Sequence, residues 1–461
     1  MESTGAQVVR ELPSYLNYWP TKSLQDHFDN GYIDIINPLS GFEGRDSGSL
    51  KFNILGNDSF ISLNLSAIYL KLQLTGEGKT AGSSPETVSI ASTDIYKSGL
   101  SIVNNIAHSL FSNINVRLGN QLITRSGDGY PFKTYIQLLC NSSKESQDTF
   151  FRVTGWKKDV AGFMDEKIDS NATNTKNTSL LTRRTDFFTD SDGIGEFYIR
   201  PHTGLTFLDI PIIPYLDIEF ELERHPTNDF YIMHKCQTAS FSVKILEARY
   251  HVQRFRGKPS LLKELEIMTQ THPVSIDMNE GHINNFTIPS GIRNYSNENM
   301  FHNHVPNRII FAFVSTDAYN GSPSKNPFNF QHFKIESLRL MKNGIEYPRP
   351  EIITNFNSTP HTFMTAYYNT MISLGADYNI NAVSITPNEY ANGYYFYSFN
   401  MAPDQQISGG DVYTPADRPS QIRLDIRFSE ALPQTIQMLV YYENRTTIRW
   451  DVERRVSVLN L

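Results

Sequence analysis

The sequence predicts an all-β protein made of two tandem antiparallel β-domains, and three observations carry that expectation. Apolar residues alternate with polar ones through Ile422, Leu424, Ile426 and Phe428, and again through Ile436, Met438, Val440 and Tyr442. A period of two marks a strand with one buried face, because successive side chains point to opposite sides of a sheet. The same alternation appears far upstream, at Ile218, Phe220 and Leu222 and then at Phe241, Val243, Ile245 and Ala248. The order of the signals also repeats. Ile114, Val116 and Leu118 precede Tyr130-Pro131, as Ile335, Leu338 and Leu340 precede Tyr347-Pro348. Two halves with matched strand order read as a duplicated β-domain.

Composition agrees with this. A chain of 461 residues is long enough for two large cores. It carries 29 Phe and 24 Tyr, while long stretches of helical period are scarce, as in sheets joined by long polar loops. The formal net charge of −7 argues against a dedicated nucleic-acid binder. The two cysteines, Cys140 and Cys236, supply neither a disulfide framework nor a zinc site. No apolar run is long enough to span a bilayer, and no signal-peptide core opens the chain, so synthesis in the cytosol or nucleus is expected.

Along the chain, residues 1–30 scatter Tyr15, Tyr18, Trp19 and Phe28 among charges, as in an arm that orders against a partner. Strand signals follow at Ile33–Ile35, Leu50–Ile54, Ile61–Leu65 and Ile68–Leu74, with turn chemistry at Gly56-Asn57-Asp58. Thr75–Gly99 reads as a polar loop. A short helix is expected between Asn104 and Phe111. A longer one is expected over Tyr130–Asn141, where Phe132, Ile136 and Leu139 share a face and Pro131 suits a first turn. Asn171–Ser179 reads as an exposed, mobile polar loop. Gly257–Thr271 is the expected boundary, with Ser260 capping a short helix through Leu261, Leu262, Leu265 and Met268. The second domain then opens at Val274–Ile276. Its further strands are expected at Ile283–Pro289, Arg308–Val314, Phe333–Leu340 and Gly393–Phe399. Glu443-Asn-Arg-Thr446 reads as a turn, leading into a last short strand around Ile448 and Trp450. The expected division is an arm over 1–30, a first domain over 31–256, a link over 257–272 and a second domain over 273–461.

Sites of chemistry are sparse. Gly78-Lys79-Thr80 looks like the tail of a phosphate-binding loop, but the glycine that motif needs upstream is Gln73, inside a strand signal. His302 and His304 would share one strand face as half of a metal site, and no third ligand has comparable spacing, though His282 could approach in space. The sequons at Asn171 and Asn177 are read as chance in an Asn-rich chain. No nucleophile elbow, paired-cysteine or zinc-protease motif is present. No catalytic, cofactor-binding or metal residue is assigned, and the chain is expected not to be an enzyme. Arg445, Arg449, Arg454 and Arg455 form a basic C-terminal cluster, read as a charged strand edge or a weak contact to nucleic acid. Tyr394, Tyr395 and Tyr397 are the residues that a sugar-stacking surface would use, the reading of a tandem β-sandwich carbohydrate-binding protein.

Several phrases taken together resemble one family. They are His108–Leu118 (HSLFSNINVRL) with Tyr130–Ile136 (YPFKTYI), Tyr319-Asn-Gly321, Asn326–Phe330 (NPFNF), Tyr390–Tyr394 (YANGY), and Ala431–Thr435 (ALPQT) before Val440–Glu443 (VYYE). They look like the major capsid proteins of Polinton-like, adintovirus-like and virophage double-stranded DNA elements. The resemblance runs from about residue 33 to the C-terminus. It implies a double jelly-roll, two eight-stranded sandwiches in tandem with a few short helices. It further implies a homotrimeric, pseudo-hexagonal capsomer of an icosahedral virion. Its partners would be neighbouring capsomers, penton and minor capsid proteins, and weakly the packaged DNA, with no cofactor.

Overall fold

The computed structural model describes residues 27–39, 48–78, 86–89, 100–125, 127–166, 176–188, 193–234, 239–298, 300–301, 304–357, 361–375, 383–402, 420–451 and 453–460. The first half is built on β1 (Phe28–Ile36), β2 (Ser49–Ile54), β3 (Ser59–Gly78), β4 (Phe111–Leu118), β5 (Gln121–Arg125), β6 (Ile194–Ile199), β7 (Ile218–Arg224) and β8 (Ala239–Gly257). The second half repeats the set as β9 (Val274–Ile288), β10 (Asn294–Asn297), β11 (Arg308–Ser315), β12 (Ile335–Lys342), β13 (Ile345–Glu346), β14 (Phe396–Asn400), β15 (Ile422–Phe428) and β16 (Ile436–Trp450).

Pairing turns this repeat into architecture. In the first half the sheets run β1-β8-β3-β6 and β2-β7-β4-β5, and in the second β9-β16-β11-β14 and β10-β15-β12-β13. Every strand of the second half therefore sits where its counterpart sits in the first. The ladders are antiparallel, as between β3 and β8 or β9 and β16. Short strands extend this frame: Glu86–Ser89 on β3, Ile352–Ile353 on β12 and Val456–Asn460 on β16. Two facing sheets with this order make each half a jelly-roll.

The alternation read in the sequence is the alternation of burial. Leu50, Phe52 and Ile54 of β2 point inward between half-exposed neighbours, and Ile218, Phe220 and Leu222 of β7 do the same. Ile422, Leu424, Ile426 and Phe428 of β15 repeat it. Each such side chain stabilises the fold by about 1.5–3 kcal/mol. In β11 and β14 every residue is buried, because one face meets the core and the other is covered. A strand buried on both faces reads as a continuous apolar run, as Ile309–Val314 does.

Among the described residues, four helices of ten or more residues pack around these sheets: α1 (Tyr130–Asn141), α2 (Thr178–Phe187), α3 (Pro259–Thr271) and α4 (Met364–Ser373). Pro131 lies in the first turn of α1, where its missing amide leaves no intrahelical bond unmade. The short helix before Phe111 spans Ile106–Ser109.

Several local expectations are corrected. Glu443–Thr446 is no turn but the middle of β16, where Asn444 and Arg445 pair with Glu280 and Asn279. With neither Gly nor Pro to break it, the ladder carries straight through polar residues. Val274–Ile276 and Ile283–Ile288 belong to one strand, β9, which stops short of Pro289, and Ile61–Leu65 and Ile68–Leu74 belong to one strand, β3. The pairing of β3 with β8 shifts register between His251 and Gln253, so a bulge replaces the expected break. Thr75–Gly78 continues β3 rather than opening a loop. Thr178 and Ser179 begin α2, Asn177 is fully buried, and residues 171–175 lie outside the described residues. The cap of α3 is Lys258, not Ser260, because Pro259 takes the first helical position.

Candidate functional site at the junction of the two sandwiches

A connected set of buried polar side chains lies where the two sandwiches meet, and α1 builds part of it. This helix springs from the connection between β5 and β6 and lies against the outer face of the β9-β16-β11-β14 sheet. Approach is close. A Cβ at Gly281 of β9 would stand 2.9 Å from Gln137 Nε2 of the helix and 2.7 Å from the Tyr441 hydroxyl. Aromatic rings seal one end: Tyr135 stacks on Phe328 with centroids 4.2 Å apart, and Phe132 stacks on Tyr319 at 5.4 Å.

Charges are matched inside this seam. Lys133 Nζ donates to Glu280 Oε1 at 2.7 Å, and both side chains are almost wholly buried. Glu280 Oε2 accepts from Thr124 Oγ1 at 3.1 Å and from the Gly204 amide at 2.6 Å. A carboxylate with donors on both oxygens keeps what it lost in leaving water. Asp159 forms a second knot. Its Oδ1 accepts from Arg183 Nη2 at 2.7 Å and Asn177 Nδ2 at 3.0 Å, and its Oδ2 from Asn326 Nδ2 at 3.2 Å. Its carbonyl accepts from the Tyr394 hydroxyl at 2.7 Å, and Asn326 and Tyr394 both belong to the second sandwich. Arg308 reaches across to Asn141 Oδ1 at 3.1 Å and also pairs with Glu443.

Beside α1 lies a cavity of about 810 Å³ lined in part by His108, His202, Gln137, Phe207 and Tyr441. Two histidines in its wall are held neutral by burial. Burial pulls His108 down to about 3 and His202 well below the ordinary histidine value. Their rings meet edge to face at 5.0 Å, with His108 Nδ1 2.8 Å from the Tyr130 hydroxyl and His202 Nδ1 2.9 Å from Gln137 Oε1. Burial also pushes the Cys140 thiol up to about 12, which leaves it a poor nucleophile at neutral pH. The seam is built to hold two bodies together; its charges are already engaged with one another.

Of the residues singled out in the sequence for chemistry, Asn177 and Tyr394 belong to this seam and the others fall elsewhere. Among the described residues no group of three or more His, Cys, Asp or Glu side chains is placed to hold a metal ion. His302 lies outside the described residues, His304 is exposed, and His282 stacks on Tyr442 at 5.3 Å. Gly78 ends β3, while Lys79, Thr80, Asn171 and Cys236 lie outside the described residues. Asn177 is fully buried, so its amide serves Asp159 and cannot carry a glycan in this fold. Tyr394, Tyr395 and Tyr397 are buried as well, which removes the surface a sugar would stack on. Arg445 pairs with Asp277 at 2.5 Å, and Arg455 pairs with Glu453. Sequence reasoning missed Lys133, Glu280, Asp159 and Arg183, which carry no local pattern.

No family profile matches the chain. An uncharacterized protein of Caenorhabditis elegans, F54H12.2, is 23% identical over 392 residues, covering 83% of this chain and 86% of its own. Solved structures resemble it throughout. A chain of the Sputnik virophage has a TM-score of 0.62 at 10% identity, covering 100% of this chain and 94% of its own. The mavirus major capsid protein has a TM-score of 0.54 at 11% identity, covering 100% and 97%. The Faustovirus major capsid protein has a TM-score of 0.58 at 7% identity, covering 95% and 92%. With its two jelly-rolls and the seam that fuses them, the chain has the double jelly-roll fold of these viral capsid proteins.

Proposed function

We propose that the chain is a structural shell subunit, a major capsid protein of a virion, rather than an enzyme. The observation that carries this reading is the likeness of both sandwiches together, over the whole chain, to mavirus and Faustovirus major capsid proteins. The working unit in this reading is a homotrimer. Three double sandwiches around one axis present six similar edges, which lets the unit tile an icosahedral shell beside neighbouring capsomers, penton and minor capsid proteins. The chain divides into an arm over 1–30, a first jelly-roll over 31–256, a link over 257–272 and a second jelly-roll over 273–461. Exposed Ile33, Ile35, Leu65, Phe150, Met364 and Tyr368 supply apolar surface for burial between subunits. Contact with packaged DNA is a minor part, since Arg445 and Arg455 are neutralised by acidic neighbours. Light scattering and negative-stain imaging of the purified protein test this. Trimers that pack into shells or hexagonal arrays are expected. A stable monomer at micromolar concentration, with no assembly in any salt, overturns it.

A further inference from the structure

The charge matching of the seam has an exception in the cavity beside α1. Among the described residues its lining holds one carboxylate and one guanidinium, Glu443 and Arg200. Glu443 is engaged by Arg308 and by the Tyr441 hydroxyl. Arg200 pairs with no acid among the described residues, and a bulge in β3 holds it in place. Ala67 pairs with His251 and Ser62 with Gln253, so residues 63–66 stand opposite Val252 alone. The Ser66 hydroxyl pins this bulge, donating to the Ser62 carbonyl at 2.6 Å and accepting from the Gln253 amide at 2.9 Å. Asn64 within it grips one edge of the guanidinium: Arg200 Nη1 donates to the Asn64 carbonyl at 3.0 Å and to its Oδ1. Asp209 accepts from Asn64 Nδ2 at 2.8 Å and orients that amide without pairing with Arg200. The other edge, Nε and Nη2, makes no hydrogen bond among the described residues, and the guanidinium lies over the Phe207 ring at 5.2 Å.

Two imidazoles lie beside it. His202 meets the same Phe207 ring edge to face, and His108 meets His202 in the same way. Their protons follow from their partners. The Tyr130 hydroxyl accepts from the His202 amide at 3.3 Å, and its own proton has His108 Nδ1 as acceptor. The neutral His108 ring therefore carries its proton on Nε2. Gln137 Nε2 donates to the Tyr441 hydroxyl, which leaves Oε1 to accept from His202 Nδ1. His202 Nε2 is then an acceptor. Both rings are more than nine-tenths buried, and neither Nε2 has a partner among the described residues. Leu138, Phe151, Val153 and Ile199 give the same cavity an apolar wall.

We propose that this cavity binds a free long-chain carboxylate, its head on Arg200 and His108 and its tail along Leu138, Phe151, Val153 and Ile199. A carboxylate takes two parallel N–H bonds from the open edge of a guanidinium and a third from an imidazole N–H. It also supplies the counter-charge that a partly buried Arg200 lacks. His202 Nε2 is left to accept from a water or hydroxyl beside the head group. A volume of about 810 Å³ suits one small molecule with an apolar body. Asn279, Gly281 and Tyr441 of the second jelly-roll line the cavity together with residues of the first, so the site is a concave cleft and not a face for a bilayer. A ligand there touches both bodies and stabilises their junction. Binding of this kind is independent of whether the chain forms shells.

Calorimetric titration of the purified full chain with hexadecanoate, kept below its micellar concentration, tests the site. Uptake of one molecule per chain is expected, with a denaturant midpoint that rises as ligand is added. Hexadecanol, which has the tail without the charge, is expected to bind about tenfold more weakly or worse. Arg200→Gln should weaken hexadecanoate by about tenfold or more and leave hexadecanol unchanged, with the circular dichroism spectrum of the wild type. Val153→Trp, which fills the space beside the apolar wall, should weaken both. Uptake of several molecules per chain, or equal affinity of the wild type for acid and alcohol, means adsorption on exposed apolar surface and overturns the site. No uptake of hexadecanoate by the wild type, whether or not the chain assembles, overturns it as well. Sedimentation of the chain with phosphatidylserine vesicles, without uptake of the free acid, assigns Arg200 to a membrane surface and does the same.

Discussion

Two carboxylates on β9, three positions apart, live in different worlds. Glu280 is buried at the junction and holds Lys133, Thr124 and the Gly204 amide. Asp277 stands at the surface, where it holds Arg445 at 2.5 Å and Thr447, with both members of the ion pair partly exposed. Both are ion pairs by distance, yet their weights differ because water screens one and not the other. At the surface a lost partner is replaced by solvent. Inside, the surviving charge has nowhere to go. The junction-facing part of the sheet thus ties two jelly-rolls into one body, while the solvent-facing part mainly keeps a strand edge charged.

Substitutions can break this contrast in graded steps. The largest effect is expected from Glu280→Ala, which strands Lys133 in the seam and should cost about 3–5 kcal/mol. The denaturant midpoint reads this, and a cost below about 1 kcal/mol would mean that the seam is not locked by charge. Next comes Asn326→Ala, which removes the side-chain donor to Asp159 and the Met164 carbonyl across the same seam. The Asn326 backbone amide still donates to Asp165, so about 1–3 kcal/mol is expected in the same titration.

Acid should attack the junction before the surface. His108 is held down to about 3 in the fold, against 6.5 when unfolded. The unfolded chain binds the proton first, so stability is full above the unfolded value and is lost as pH falls from 6.5 towards about 3. His202, also lowered, acts in the same direction. The expected slope is about 1.4 kcal/mol per pH unit for each histidine. His108→Gln should flatten the midpoint-against-pH curve by one proton's worth, and an unchanged slope would show that this ring titrates freely. The smallest effect is expected from Arg445→Ala, at under about 1 kcal/mol, with sensitivity to salt. A midpoint loss as large as that of Glu280→Ala would erase the distinction between the two carboxylates.

Much of this fold was legible in the sequence because it rests on a local rule. Alternation at Ile218–Leu222 and Leu424–Phe428 marked two strands that occupy equivalent places in the two jelly-rolls, β7 and β15. The echo between Ile114–Leu118 and Ile335–Leu340 marked another equivalent pair, β4 and β12. In each case a strand shows its buried face through its own side chains, so neighbours in sequence suffice. The helix over Tyr130–Asn141 was legible for the same reason, through its own period and Pro131.

What lay beyond the sequence depended on partners distant along the chain. Glu443–Thr446 looks like a turn by composition, yet Asn279 and Glu280 draw it into a ladder. Asn177 looks like a loop residue until Asp159 and Val160 enclose it. Tyr394 looks free to stack on a ligand until Asp159, in the other jelly-roll, accepts its hydroxyl. Lys133 and Glu280 are separated by 147 residues, and a charged side chain alone in sequence is read as solvated. Strand positions were thus set by alternation that each segment carries in itself. The seam was decided by the tertiary structure, because burying a charge is tolerable only where folding delivers its counter-charge and donors to the same place.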